Sequence, residues 1–295
     1  MFSISKHFKI FLSITLAILA IGIGSMIMKG FNLGIDFKGG NIVDITFEKD
    51  VTVADIRNVL DKHDLGNSII QLATNDNSTS SKSVLIRTGI IEDNVRQDTL
   101  ADLKSQIGEY NVNRIENVGA TVGSELVRQA IIAIVVSWIL MILYITMRFE
   151  VRFAVAAVLS LVIDVMMVVS WFSFFQWEID SSFVAALLTV VGFSINGTIV
   201  IFDRIRENLK GHRPSESLAE LVDNSINQCM TRTLYTNFTV LFTVGAIIIF
   251  GGETIRNFAY AMFVGFSSGV YTSILLAGPM WQTFKEKHYV SLHFG

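Results

Sequence analysis

Residues 192–208 read GFSINGTIVIFDRIREN, a membrane-like stretch with polar groups near its middle. Ser194, Asn196 and Thr198 interrupt a run that is otherwise apolar or small. The run ends in a cluster of charged residues: Asp203, Arg204, Arg206 and Glu207. Polar side chains within a membrane are costly and mark functional or helix-packing positions. The stretch therefore predicts a transmembrane helix that carries a site and ends at the membrane surface.

The composition of the whole chain agrees with a membrane protein. Of its 295 residues, 51% are hydrophobic, and the mean hydropathy is +0.52, which is too apolar for an average soluble protein. The net charge of −3 argues against a nucleic-acid binder. The single cysteine, Cys229, cannot form an internal disulfide and therefore indicates no redox compartment.

The first apolar run covers residues 10–28 and follows two lysines, Lys6 and Lys9. Its length of about 20 residues is enough to span a bilayer. A signal peptide is the alternative, but no clear small-residue cleavage site follows the run. We interpret it as an uncleaved transmembrane helix.

Residues 32–125 have the pattern of a water-soluble domain inserted after this helix. Period-two runs such as NIVDITF predict strands, while TVADIRNVLDKH has helical spacing after Thr52, a plausible N-cap. The loop NDNSTSSK, at 75–82, separates two further strands. The predicted order is β-α-β-β-α-β, which indicates an α+β ferredoxin-like domain.

Further apolar runs bring the predicted number of transmembrane helices to six. They cover about residues 127–147, 152–173, 183–203, 232–250 and 258–280. Basic residues cluster in alternate connections and at both ends of the chain: Lys6, Lys9, Arg148, Arg152, Arg204, Arg206, Lys210, Arg213, Arg232, Lys285 and Lys287. By the positive-inside rule we expect both termini to be cytoplasmic and the 32–125 domain to lie on the outer side of the membrane.

Residues 214–230 (PSESLAELVDNSINQCM) have apolar side chains at helical spacing. We interpret them as a cytoplasmic amphipathic helix that lies at the membrane surface. A loose linker is the alternative.

Three residues are candidates for ion coupling. Asp164 lies well inside the third span, where a carboxylate is expected to face the bundle interior, a partner or a water path; a structural hydrogen bond is the alternative. Because the third and fourth spans run in opposite directions, Asn196 is expected at a similar depth, although small residues near it also fit close helix packing. Arg232 either snorkels to the interface or pairs with an acid, and Asp164 and Asp203 are the candidates within the chain.

The segment GIDFKGGN, at 34–41, lacks the ending of a phosphate-binding loop. Its glycines allow a tight turn into the first strand of the soluble domain. The sequence contains no metal-ligand cluster, catalytic triad or cofactor fingerprint, so we expect no metal, no cofactor and no enzymatic activity.

Several blocks in order along the chain resemble one family, the SecF proteins of the SecD/SecF pair in bacterial protein export. They are GIDFKGG at 34–40, VGATVGSEL at 118–126, YITMRFEVRFAVAAVLSLVIDV at 144–165, VGFSINGTIVIFDRIREN at 191–208 and TRTL at 231–234. The resemblance runs nearly from end to end. It marks as family residues Gly34, Asp36, Gly39, Gly40, Asp203, Arg204 and Arg206.

The resemblance implies a six-helix half of a resistance-nodulation-division transporter in the bacterial inner membrane. It also implies SecD as the subunit that supplies the other half, association with the SecYEG channel, and contact with the translocating preprotein and with membrane lipids. The proton-motive force would drive late export, whereas SecA, acting indirectly on this chain, supplies the ATPase step.

The chain departs from the family pattern at two positions. The acid that usually follows the asparagine of the fourth helix is here Gly197, and the histidine common before Asp164 is Ile163. We hypothesise that Asp164, or an acid from SecD, carries the coupling and pairs with Arg232. A sodium-coupled variant, a structural subunit that couples to no ion, and a small-molecule efflux permease of the same superfamily are the alternatives.

Overall fold

The computed structural model describes residues 3–72, 80–211 and 216–293. Its elements follow in chain order: α1 Ile4–Lys29, α2 Ile35–Lys38, β1 Gly40–Thr52, α3 Val53–Leu60, a 3₁₀ turn Asp61–His63, β2 Ile69–Leu72, β3 Ser80–Thr88, α4 Asp93–Gln106, β4 Tyr110–Val118, α5 Ala120–Arg148, α6 Val151–Phe175, α7 Ser181–Lys210, α8 Leu218–Phe250, α9 Glu253–Thr272, a π-helical segment Ser273–Ala277 and α10 Gly278–His293.

Two compact units divide the chain. The first comprises Met1–Asn32 and Ile131–Gly295, and the second comprises Leu33–Ala130. Within the three described ranges, six helices are long and apolar enough to cross a membrane: Ile4–Lys29, Thr121–Arg148, Val151–Phe175, Ser181–Lys210, Leu218–Phe250 and Ile255–Glu286. This confirms the predicted number of apolar spans and the predicted multi-pass membrane class.

The amphipathic helix predicted over 214–230 is not a separate element. Residues 214 and 215 lie outside the described ranges, and from Leu218 onward the segment is the start of α8. Ser217 caps the helix through a capping box with Glu220. No proline follows before Phe250, so backbone hydrogen bonding continues into the span. Three of the apolar side chains at helical spacing are buried within the protein: Leu221, Val222 and Ile226.

The second unit contains a four-stranded sheet of order β2-β3-β1-β4. Each neighbouring pair is antiparallel, and the element order is β-α-β-β-α-β apart from the short α2 and the 3₁₀ turn. Alternate residues of β1, including Val43, Ile45 and Phe47, face the core formed with α3 and α4. Of the predicted loop at 75–82, residues 75–79 lie outside the described ranges and Ser80 already belongs to β3.

The glycine turn predicted before the first strand is present. Gly39 and Gly40 have φ angles of +76° and +143°, conformations that side chains other than glycine rarely adopt. A Cβ atom at Gly40 would lie 2.5 Å from the carbonyl oxygen of Thr88 on the neighbouring strand. Glycine at position 40 therefore lets the start of β1 lie close to Thr88 of β3.

Helix α6 is the most apolar of the well-buried spans in the first unit, and aromatic side chains pack at both of its ends. Phe153 stacks on Trp281 with ring centroids 4.5 Å apart and contacts Phe202 of α7 at 4.9 Å. At the opposite end Phe172 packs on Phe183 at 4.5 Å. These contacts fix the ends of α6 against α7 and α10. They therefore also hold the middle of α6 in a defined position relative to those helices.

The capping box of α3 provides a test of the second unit. Thr52 accepts from the backbone N–H of Asp55, and the Asp55 carboxylate accepts from the side chain and backbone of Thr52, which lowers the pKa of Asp55. We expect Thr52→Ala to lower the free energy of unfolding of a soluble 33–118 fragment by about 1 kcal/mol, measured by urea denaturation at neutral pH.

Because the pKa of Asp55 is lowered in the folded state, this contribution is present above the pKa of the unfolded chain. It is lost as the pH falls through the folded value. The difference between the native fragment and Thr52→Ala should therefore shrink in acid. Ser105→Ala, at an exposed site on α4, is the control and should change stability little. An equal loss from both substitutions would contradict the cap assignment.

Candidate functional site

The centre of the candidate site is the carboxylate of Asp164 in the middle of α6. Asp164 is 0% exposed. Ser194 Oγ on α7 donates a hydrogen bond to its Oδ2, and Thr272 Oγ1 at the end of α9 donates to its Oδ1 over 2.8 Å. A buried carboxylate without such donors would be very costly. The two hydroxyls satisfy both oxygens and tie α6 to α7 and α9.

Small residues allow α9 to reach the carboxylate. A Cβ atom at Gly265 would lie 2.3 Å from Val190 Cγ2 of α7. One at Gly269 would lie 3.1 Å from the Cβ of Ser194. The two glycines therefore permit the close approach of α7 and α9 that brings Ser194 and Thr272 to the same carboxylate.

A cleft with about 90 Å³ of space for water-sized molecules lies beside Ser194, between α7, α8 and α9. Both Asn196 and Arg232, two of the three coupling candidates, line it together with Gly197. The complete lining is Phe193, Ser194, Asn196, Gly197, Val200, Arg232, Thr233, Thr236, Asn237, Gly269, Val270 and Ser273. Ser194 is thus the residue shared by the cleft and the Asp164 carboxylate.

A second pair of hydroxyls continues the polar contacts toward the C-terminal end of α7. Thr198 Oγ1 and Ser273 Oγ are 2.9 Å apart, and Ser273 Oγ donates to the carbonyl oxygen of Ser194 over 3.5 Å. Ser273 opens the π-helical segment, a type of local widening that is frequent at functional sites. A Cβ atom at Gly197 would lie 3.2 Å from Ser273 Oγ.

Arg232 does not pair with either acid that the sequence suggested. Asp164 is occupied by hydroxyls. Asp203 binds Arg206, with Oδ1 2.9 Å from Nη2, and Arg148, at 3.6 Å. Among the residues that the structure describes, the Arg232 side chain makes no salt bridge, and the residue is exposed on the surface of the chain. An acid from outside the chain remains a prediction.

The charged ending DRIREN forms a separate cluster at the end of α7. Arg204 contacts Glu207 and Gln228 of α8 over 2.6 and 2.5 Å. The guanidinium groups of Arg148 and Arg206 lie 5.5 and 5.4 Å from the ring of Phe149. The cluster joins the α5–α6 connection and the start of α8 to α7, which fits an anchoring role.

The glycine motif belongs to the other unit. Gly34 precedes α2, Asp36 lies within α2, and Gly39 and Gly40 form the turn into β1. The structure therefore gives Gly39 and Gly40 a turn-forming role in the second unit.

Sequence reasoning missed three polar residues of the site, namely Thr272, Ser273 and Asn237. The first two lie in FSSGVYTS at 266–273, a polar stretch in an apolar span that resembles the interruption in α7. This polar stretch is the sequence signal that could have identified Thr272 and Ser273. Asn237 lies in YTNFTV, one turn beyond Arg232, and its role depends on packing with α7 and α9 that no local pattern encodes.

Comparison with known proteins places the chain in a family. Residues 98–287 match the family described as Protein export membrane protein SecD/SecF, C-terminal, and residues 24–51 match the SecD/SecF GG Motif. The chain belongs to the SecD/SecF family. This confirms the family that the sequence blocks suggested.

Individual relatives agree with this assignment. The chain is 61% identical over 287 residues to the protein translocase subunit SecF of Acidaminococcus fermentans, covering 97% of this chain and 98% of that one. It is 40% identical over 278 residues to the SecF of Vibrio alginolyticus, covering 92% and 86% of the two chains. The crystal structure of SecDF from Thermus thermophilus, a translocon-associated membrane protein, superposes with a TM-score of 0.86 at 34% identity. The match covers 97% of this chain and 39% of that SecDF chain.

The close approach of α7 and α9 can be tested by adding one methyl group. We expect Gly265→Ala to lower the thermal stability of the detergent-solubilised protein, because overpacking against Val190 costs about 1–3 kcal/mol. The midpoint of unfolding, followed by tryptophan fluorescence, measures the change. Gly245→Ala on α8 is the matched control, since an added Cβ atom there would meet no atom within 4 Å beyond the adjacent residues and the nearby backbone of its own helix. Equal shifts for the two variants would contradict the packing argument.

Proposed function

We propose that the chain is a SecF-type auxiliary subunit of the Sec preprotein translocase, which acts with SecD and uses an ion gradient to promote protein export. The observation that carries the ion-coupling part is the fully buried Asp164 carboxylate, held by two hydroxyls beside a polar cleft. A carboxylate in such a place is a natural carrier of a transported or coupled proton. The chain acts as a translocase component rather than as an enzyme.

Partnership with SecD has support from the surface of the first unit. Asn196, Arg232 and Thr236 are exposed although they lie within α7 and α8. An arginine and an asparagine facing lipid would be costly, so this face fits against another protein subunit. The SecDF chain from Thermus thermophilus, of which this chain matches about two fifths, supports SecD as that subunit.

The orientation follows from charge and from the second unit. We infer cytoplasmic termini in the bacterial inner membrane and a periplasmic position for residues 32–125. The β2-β3-β1-β4 order with two helices supports a ferredoxin-like domain there. In that position the domain would meet the preprotein as it leaves the SecYEG channel, while SecA acts on the opposite side.

Asp164 is the acid that we assign to coupling in place of Gly197. A side chain at position 197 would point toward Ser273, and Asp164 accepts from Thr272, the preceding residue. An acid at either position would therefore contact the same end of α9. Arg232, which lines the cleft without an acidic partner among the described residues, fits an acid contributed by SecD.

A structural subunit that stabilises SecD and the channel is the second candidate. The specific observation in its favour is Gly197, because glycine cannot bind a proton. In that case Asp164 would serve only to hold α6, α7 and α9 together.

The two candidates are distinguished by Asp164→Asn. We expect this substitution to abolish stimulation of export by the proton gradient, because an amide cannot exchange a proton at this depth. The measurement is preprotein translocation into inverted vesicles that contain the chain, SecD and SecYEG, with and without the gradient. ATP-driven export without the gradient should be unchanged.

Glu286→Gln, at the exposed end of α10, is the matched control and should retain full stimulation. Full stimulation in Asp164→Asn would favour the structural subunit. Loss of activity in Gly197→Asp together with full activity in Asp164→Asn would also count against Asp164 as the coupling acid. A sodium gradient tested in the same vesicles identifies the ion.

A further inference from the structure

The cleft beside Ser194 contains a buried acceptor atom that lacks a partner. Asn237 is 7% exposed and lines the cleft. Its Nδ2 donates to the carbonyl oxygen of Thr233 over 2.7 Å, which fixes the orientation of the amide. Its Oδ1 has no hydrogen-bond partner among the described residues. Such an atom costs roughly 1–3 kcal/mol unless something donates to it.

The chemistry of the lining selects the ligand. An anion cannot satisfy Asn237 Oδ1, because both would be acceptors, and a resident metal cation is disfavoured because the residues that line the cleft include no carboxylate to neutralise it. An apolar ligand would leave Oδ1 unsatisfied. Water can donate to Oδ1 and also accept from Arg232.

The size of the cleft fits the same ligand. A water molecule needs roughly 10–15 Å³ of such space and two to four polar partners. The cleft offers about 90 Å³ and a lining that includes Asn196, Arg232, Asn237 and Ser273. It therefore has room for several water molecules.

We propose that this cleft binds water, held by Asn237 Oδ1, and that the hydroxyl of Ser194 connects this water to the Asp164 carboxylate. Ser194 lines the cleft and donates to Asp164 Oδ2, so its oxygen remains able to accept from a water molecule. The proposed water site does not depend on the proposed function, whereas its connection to export rests on the proposed coupling role of Asp164.

The connection allows a balanced proton transfer. A hydronium ion in the cleft gives a proton to Ser194 Oγ, whose own O–H bond breaks as its proton moves to Asp164 Oδ2. The products are neutral water, an unchanged serine and a protonated carboxyl group. The reverse sequence releases the proton, so Ser194 acts as a relay and Asn237 as a positioning residue.

Thiol labelling tests the water site without any export measurement. Cys229 is the only cysteine of the chain, and Cys229→Ala provides a cysteine-free background. Thr233→Cys then introduces a thiol into the lining while leaving the backbone carbonyl that binds Asn237. In inverted vesicles with SecD, a small sulfonated methanethiosulfonate should modify this thiol. Val244→Cys, at a buried apolar position of the same helix, should remain unmodified.

Adding Asn237→Leu to Thr233→Cys should abolish most of this labelling, because leucine removes the acceptor and presents an apolar side chain. Absence of labelling in Thr233→Cys, or labelling unaffected by Asn237→Leu, overturns the water site whatever the export assay gives. Co-purification with SecD checks that each variant is assembled.

Gradient-stimulated export tests the relay. Ser194→Ala should lose most of the stimulation, whereas Ser160→Ala, a buried serine of α6 whose hydroxyl donates to the carbonyl oxygen of Ala156, should retain it. If Asp164→Asn abolishes stimulation and Ser194→Ala does not, the relay is wrong. If Asp164→Asn itself has no effect, the coupling assignment fails, while a positive labelling result still supports the water site.

Discussion

A carboxylate in the middle of an apolar helix is the constraint on which the first unit depends. The cost of burying an ionised carboxylate amounts to several kcal/mol, more than any single helix contact returns. Asp164 meets this cost with hydroxyls from two other helices, Ser194 and Thr272. The positions of α6, α7 and α9 are therefore coupled, and Gly265 and Gly269 are needed because a larger residue would hold α9 too far away.

Satisfying Asp164 with hydroxyls instead of an arginine has a functional consequence. A direct ion pair with Arg232 would fix the carboxylate in its charged form, since the opposite charge favours ionisation. Hydroxyls can donate to a carboxylate and can accept from a protonated carboxyl group, so they accommodate both forms. Arg232 lines the cleft, whereas Asp164 does not and is connected to the cleft through Ser194.

The apolar spans, the strand and helix order of the second unit and the buried position of Asp164 were predictable, because each rests on a local pattern of hydropathy. The continuity of α8 was not predicted, since the polar positions of 218–230 suggested a surface helix and its capping box marks only its start. The contribution of α9 was also missed. Thr272, which donates to Asp164, and Ser273, which binds Thr198, lie far along the chain from these partners, and only the packing of α9 against α6 and α7 brings them together.

This geometry shows what surrounds the glycine at position 197. Thr272 and Ser273 are consecutive hydroxyls, the first bound to Asp164 of α6 and the second facing Gly197 of α7. The end of α9 therefore supplies two hydroxyls, one placed to contact an acid on α6 and the other placed to contact an acid on α7. With glycine at position 197, Ser273 is bound to Thr198 and Asp164 accepts from Ser194. If Asp164 carries the coupling that we propose, the site requires one acid at this pair of hydroxyls rather than an acid at one fixed position of the sequence.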